Sequence, residues 1–149
     1  MLFERINRDY VTAMKARDSI KAATLSFLRA QLKNGTIEKR VDRLEDPDVL
    51  TVIKKQVKQR QDSITQYRGA DRHDLADKEA AELAVLQAYL PDEMPADELA
   101  VLVREVIYQT GAGSMKDMGA VMKAVIDRVQ GRADNRAVSE AVKLELGKL

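Results

Sequence analysis

His73 is the only histidine in this chain, and two acids, Asp74 and Asp77, stand close behind it. Positions 73 and 77 share a face of a helix, which is the spacing of a metal-ligand pair. A catalytic zinc site needs a third protein ligand, and no residue nearby signals one. An exposed first helical turn, with acids favoured by the helix dipole, explains the same three residues. The serines, Ser19, Ser26, Ser63, Ser114 and Ser139, include none in a nucleophile elbow, and a single histidine is the only base of its kind. No P-loop lysine and no dinucleotide fingerprint occurs, and Gly111-Ala112-Gly113 lacks the preceding strand that a phosphate loop requires. Cysteine is absent, which removes thiolate nucleophiles, disulfides and cysteine-based metal centres together. Met118 and Met122 lie on an apolar stripe and read as core filling. The expectation is a chain without a catalytic centre, a cofactor or a metal.

Two basic features remain as candidates for chemistry of another kind. One is the face Lys54, Lys55, Lys58 and Arg60. The other is Lys116, Lys123, Arg128, Arg132 and Arg136, around a helix near the C-terminal end and the turn after it. Such residues suit phosphate contacts, aided by free amides at the helix starts after Ser114 and Asp134. Asp117, Asp127 and Asp134 are interleaved with the second set, so a solvated mixed surface is the alternative reading.

These residues need elements to position them, and every element read from the pattern is helical. Phe3, Ile6, Tyr10, Ala13 and Met14 recur at three- and four-residue spacing, one face of a first helix. Asp18-Ser19 offers an N-cap for a second, with Ile20, Ala23, Phe27 and Ala30 as one inward stripe, widened by Leu25, Leu28 and Leu32. Asn34-Gly35 predicts a kink or break, with Ile37 and Val41 beyond it. Asp46-Pro47-Asp48 starts a third helix, Asp46 capping and Pro47 losing no hydrogen bond. Its inward residues are Leu50, Ile53, Val57, Ile64 and Tyr67. Gly69 ends it, and a fourth helix spans about Asp71 to Leu90 on a seam of Leu75, Leu83, Leu86 and Leu90.

Pro91-Asp92-Glu93-Met94-Pro95 reads as a linker. Leu99, Leu102, Val103, Val106 and Ile107 face inward on a fifth helix. Ser114 caps a sixth, with Asp117 closing an acidic capping box, and Met118, Val121, Met122, Val125, Ile126 and Val129 as its apolar face. Gly131 turns the chain, and Asp134 caps a seventh, buried through Ala137, Val138, Ala141, Val142 and Leu146. The expected fold class is all-α: an N-terminal four-helix part over residues 1–90, then a compact three-helix C-terminal domain over residues 91–149.

The composition agrees with a folded chain. Its 149 residues are 45% apolar and 33% charged, with 4% aromatics and no Trp, so Leu, Val, Ile, Ala and Met must build the core. At this length folding buries roughly 68% of the extended-chain surface. Net charge is +1, unevenly spread: residues 1–44 carry ten Lys/Arg against five Asp/Glu, and residues 91–105 carry five acids against Arg104 alone. No apolar run reaches the length of a signal peptide or a membrane span. On these grounds no membrane partner is expected, and the cytoplasm is the default location.

Three runs carry a resemblance to a known family. They are Leu86-Gln87-Ala88-Tyr89-Leu90-Pro91, then Gly113-Ser114-Met115-Lys116-Asp117-Met118-Gly119-Ala120-Val121-Met122, then Val129-Gln130-Gly131-Arg132-Ala133-Asp134. Together with Leu25, Leu28, Asn34 and Ile37, and with Lys58-Gln59-Arg60 and Ser63, they resemble the GatB/YqeY family, closest to its stand-alone YqeY-like proteins. The resemblance implies four N-terminal helices joined to a three-helix domain similar to the tail of the B subunit of the tRNA-dependent amidotransferase. In that enzyme the tail helps hold tRNA while a misacylated residue is amidated with glutamine-derived ammonia. The family label therefore implies a carbon–nitrogen ligase with glutamine as amido donor, although the chain is similar only to the helical appendage. Carried over by position, the implied tRNA-facing residues are Lys116, Gly119, Gly131, Arg132 and Asp134. Gly119 would let a neighbour approach its helix, and Gly131 would accept the turn. Ala120 stands where the family often has Lys, and Gly35 where a helix-compatible residue is more usual.

Three functions follow as expectations. The first is a non-catalytic module binding tRNA or a tRNA-linked complex, with Lys116, Gly119, Lys123, Arg128, Gly131, Arg132, Asp134 and Arg136 as its interface. The second is a protein–protein adaptor in translation, suggested by the acidic segment 92–105 beside basic faces. The third, amidotransferase activity in the chain itself, would need glutamine-dependent ammonia release, and none is expected.

Overall fold

The computed structural model describes residues 1–149 and contains seven helices and no strand. They are α1 (Leu2–Lys15), α2 (Ser19–Lys39), α3 (Asp46–Gly69), α4 (His73–Gln87), α5 (Ala96–Thr110), α6 (Met118–Val129) and α7 (Asn135–Leu146). The chain divides into two compact units, Met1–Leu90 and Pro91–Leu149.

In the first unit α1 and α2 form one helical hairpin and α3 and α4 another. Asp18 caps α2 by accepting from the Lys21 amide at 3.2 Å. The core is a leucine-rich cluster of Ile6, Leu25, Leu28, Leu32, Val49, Ile53 and Leu86. Burying each such side chain fully is worth about 1.5–3 kcal/mol.

The inward stripe of α2 differs from the expected one. Leu25, Leu28 and Leu32 are buried, while Ala23 and Ala30 are exposed, as are Ile20 and, at 51% exposure, Phe27. Two apolar rows at helical spacing compete for the core, and the leucine row wins with Thr24 beside it. The Thr24 hydroxyl is satisfied locally, donating to the Ile20 carbonyl at 2.8 Å, so it can be buried without cost. Met14, expected inward on α1, is exposed as well.

No break occurs at Asn34-Gly35: α2 runs through to Lys39 and stops at Arg40, whose φ of 58° is left-handed. Glycine at 35 serves closeness instead. A Cβ there would lie 2.9 Å from Leu44 Cδ1, and Leu44 is buried in the core cluster.

Asp46 does not cap its own helix. Glu45 takes the N-cap position of α3 without a side-chain bond, and Asp46 Oδ1 accepts from the Leu2 amide at the start of α1, at 2.9 Å. The fourth helix is shorter than expected at both ends. Asp71 is left-handed, with φ of 58°, which delays the start to His73. Tyr89 and Leu90 form tight turns to Leu86 and Gln87, because the residue before Pro91 is pushed out of the helical region. Gln56 is buried on α3, and neither end of its amide finds a partner within the chain.

The second unit packs α5, α6 and α7 each against the other two. Its core is dominated by valine: Val103, Val106, Val121, Val125, Val138 and Val142, closed by Leu99 and Leu146. Arg132 fastens the segment before α5 to the α6–α7 turn. Its carbonyl accepts from the Met94 amide at 2.8 Å, and its Nε donates to the Asp92 carbonyl at 3.1 Å.

Candidate nucleic-acid interface

Ser114 and Asp117 form the capping box that the sequence predicts, on a 3-10 turn over Met115–Asp117 that leads into α6. The Lys116 amide donates to Ser114 Oγ at 3.3 Å. Asp117 Oδ2 accepts from the Gly113 and Ser114 amides at 2.9 and 3.4 Å. At α7, Asp134 Oδ1 accepts from the Ala137 amide at 2.7 Å. Of the amides expected to be free for phosphate, those of Lys116 and Ala137 are thus held by the chain's own caps.

With Val121, Val125 and Val129 buried, α6 presents Gly119, Ala120 and Lys123 outward, next to Lys116 on the preceding turn. Lys116 and Lys123 make no ion pair. Gly119 does not admit a neighbour from within the protein: a Cβ there would meet nothing within 4 Å. The result is a face of low relief, Gly119 and the Ala120 methyl, between two unpaired ammonium groups.

The remaining expected residues begin at Arg128, about 8 Å beyond Lys123 along α6 at 1.5 Å per residue, and continue through the turn into α7. There the arginines are engaged. Arg132 grips Glu98 through two contacts of 2.9 and 3.4 Å, Arg128 pairs with Glu105 at 3.1 Å, and Arg136 with Glu140 at 3.3 Å. Gly131 takes the left-handed turn with φ of 80°. The acidic segment 92–105 supplies two of these partners, Glu98 and Glu105.

The face Lys54, Lys55, Lys58 and Arg60 also divides. Lys55 and Lys58 are exposed. Arg60 turns inward, bridging Glu79 and Glu82 of α4, with its guanidinium 5.9 Å from the Phe27 ring. His73 does not join Asp77. Its Nε2 lies 2.9 Å from Asp71 Oδ1, Asp74 pairs with Arg72, and no three acids or histidines gather around a point that could hold a metal ion.

A charged cluster on the second unit is not legible in the sequence. Glu145 of α7, only 6% exposed, accepts from Arg104 Nε and Nη2 at 3.1 and 3.3 Å and from Lys148 at 3.3 Å. The Arg104 guanidinium holds the Glu145 carboxyl below the usual glutamate range, against the opposing effect of burial. Arg104 and Glu145 are 41 positions apart, beyond any local spacing rule. Tyr108, one turn on from Arg104, was equally silent; its one signal is an aromatic ring set on the outward face of a helix with a valine core.

Comparison with known proteins places the chain. The family model described as "Yqey-like protein" matches residues 3–146. A relative from Pyrenophora tritici-repentis, named "Altered inheritance of mitochondria protein 41, mitochondrial", is 29% identical over 99% of this chain and 82% of its own length. A protein of the same name from Vanderwaltozyma polyspora is 33% identical over 60% of this chain, and the match spans 48% of that relative. These names overturn the expectation of a cytoplasmic location: relatives that match along this chain are named as mitochondrial. The lack of cysteine does not distinguish the two compartments. No helix is long and apolar enough to cross a membrane.

Proposed function

This chain belongs to the YqeY-like family, and from that premise we propose that it is a helical binding module that docks on tRNA, or on a tRNA-linked complex, through α6. One observation carries the reading: Lys116 and Lys123, both without an acid partner, flank the uncovered backbone at Gly119 and Ala120. Two ammonium groups about two helical turns apart suit neighbouring phosphates, and a face with only the Ala120 methyl beside Gly119 lets a sugar–phosphate ridge come close. Recognition of this kind reads charge and shape, the mode expected for double-stranded RNA. The likeness of the three-helix unit to the tail of the amidotransferase B subunit supports the choice of tRNA. Arg128, Gly131, Arg132, Asp134 and Arg136 then act by holding the unit together, since their groups are spent on internal partners. No amide-transfer step is assigned to this chain.

The test is binding of unfractionated tRNA as a function of salt. The affinity falls along a log–log line whose slope reports the phosphates contacted, about 0.9 for each on duplex regions. Binding that ignores salt, or no binding at low salt, refutes the reading.

A second reading, a protein–protein adaptor, draws on the exposed row Ile20, Ala23, Phe27 and Ala30 of α2. Uncovered apolar rows of this kind mark contact surfaces. A stoichiometric protein partner that survives ribonuclease treatment and is lost on Phe27→Ser favours it over RNA.

A further inference from the structure

We propose that a cleft between the ends of α5 and α7 takes an unpaired nucleotide, either free or at the single-stranded end of an RNA. The cleft is open to solvent, offers about 500 Å³, and is lined by Arg104, Ile107, Tyr108, Glu145, Lys148 and Leu149. That volume lies within the range of small-molecule sites.

Three features define the ligand. Tyr108 is 89% exposed, so its ring packs against almost nothing in the chain and offers a flat apolar face at the rim. Arg104 is held rigidly: Nε and Nη2 donate to the two oxygens of Glu145, which fixes the guanidinium plane and leaves Nη1 without a partner. Lys148 adds an ammonium group on the same carboxylate. Two cations face one buried anion among the lining side chains, and Arg104 Nη1 and the remaining N–H bonds of Lys148 are open to an anionic group. A fork-shaped cation with an open N–H edge suits a phosphate. A ring beside it suits a base, which stacks on aromatic faces when it is not paired.

Neither half of that ligand explains the cleft alone. A bare phosphate leaves the Tyr108 ring without a role, and an apolar partner leaves the fixed arginine edge unused. A nucleotide uses both, with its base on Tyr108 and its phosphate toward Arg104 and Lys148. Gly111, left-handed with φ of 69°, and with nothing near its missing Cβ, keeps the rim open.

The RNA source rests on the tRNA reading above. The cleft ends where α5 gives way to the Gly111–Ser114 loop, and that loop leads directly to Lys116. The free-nucleotide source does not depend on that reading.

The experiment has two arms on the full chain. In the first, amide shifts are followed while 5′-AMP, adenosine or inorganic phosphate is added. 5′-AMP is expected to move Tyr108–Ala112 and Glu145–Lys148 at lower concentration than adenosine or phosphate does. In the second, affinity is measured for an RNA hairpin with a single-stranded 3′ overhang and for its blunt counterpart. Tyr108→Ala should weaken the overhang hairpin about tenfold and leave the blunt one unchanged, while Tyr108→Phe keeps the stacking face and restores affinity. So exposed a ring can be removed without threatening the fold. The proposal is overturned if 5′-AMP moves no cleft amide and Tyr108→Ala binds both hairpins as the parent does. It is also overturned if phosphate moves the cleft amides as readily as 5′-AMP. Loss of blunt-hairpin binding in Lys116→Glu/Lys123→Glu tests the tRNA face separately. If that loss is absent while 5′-AMP still binds, the face fails and the cleft stands as a site for free nucleotides.

Discussion

The hydroxyl of Tyr89 donates to Asp9 Oδ2 at 2.6 Å, joining the last turn of the first unit to its first helix across 80 positions. The guanidinium of Arg5 lies 5.1 Å from the same ring, one turn before Asp9 on α1. Tyr89 is almost wholly buried and Asp9 half-buried, so the bond lies at the edge of the core and closes the end of the unit.

Removing that hydroxyl tests the closure. Tyr89→Phe should lower the unfolding free energy by about 1.5–3 kcal/mol, the usual worth of a bond to a charged acceptor, measured by urea titration. The pH dependence has a definite sign. Burial first, then the bond to Asp9, raise the phenol above its ordinary value of 10.0. A group raised in the folded state contributes stability that is complete below its unfolded value and lost as pH rises beyond it. The parent should therefore lose stability above about pH 10 more steeply than Tyr89→Phe.

Gly35 offers a double-mutant cycle. Gly35→Ala gains about 1 kcal/mol in helix propensity, but its Cβ must displace Leu44 Cδ1 from 2.9 Å. The two effects should nearly cancel in the parent. In a Leu44→Ala background the obstruction is gone, and Gly35→Ala should give its full gain of about 1 kcal/mol. Equal effects in both backgrounds would mean that Leu44 does not constrain the position.

Gln56 is a place to gain stability. Both amide atoms are buried without a protein partner, and such groups carry a desolvation penalty of about 1–3 kcal/mol. Gln56→Leu keeps similar bulk and should raise the thermal midpoint. A fall in midpoint would show that the amide has a partner, such as an internal water, that the substitution removes.

Charge reversal on α6 separates contact from architecture. Lys116→Glu/Lys123→Glu should reduce the salt slope of tRNA binding by about 2, with the unfolding transition nearly unmoved because neither lysine is ion-paired. Arg132→Ala should do the opposite, since Arg132 grips Glu98 and the Asp92 carbonyl. It should destabilise the second unit.

Acid should act on the second unit through Glu145. Its carboxyl is held below the ordinary value of 4.5, chiefly by the Arg104 hydrogen bond. A lowered group contributes stability above its unfolded value and loses it as pH falls through the folded one. Amides of α7 in the parent should lose protection below about pH 4.5 more steeply than in Glu145→Gln.

Local signals carried most of this architecture. Asp18, the Ser114–Asp117 box and Asp134 each sit where a side-chain oxygen meets the amides of its own first turn, so three residues of sequence suffice to find them. The valine rows of α5, α6 and α7 recur at the helical period and have no rival row. In α2 the same rule failed because two apolar rows compete, and only the neighbours decide between Leu28 and Phe27. Asp46 looked like a cap for α3, but its carboxylate serves Leu2, a choice made by tertiary approach. The candidate interface was half legible. Lys116, Gly119 and Lys123 stand together as their spacing implies, while Arg128 and Arg132 carry the same charge and pair with acids that lie far away in sequence, and Arg136 pairs with Glu140 one turn on. Arg104, Tyr108 and Glu145 gave no local sign at all.

Gly119 has one more consequence. A glycine on an exposed helix costs about 0.5–1 kcal/mol relative to alanine, and nothing within the chain fills the space above it. An engineer screening for heat resistance would therefore meet Gly119→Ala early and welcome it. The hardier protein would then carry a methyl group on the very strip where a docking strand must lie flush, so selection for endurance and selection for grip would pull this one position in opposite directions.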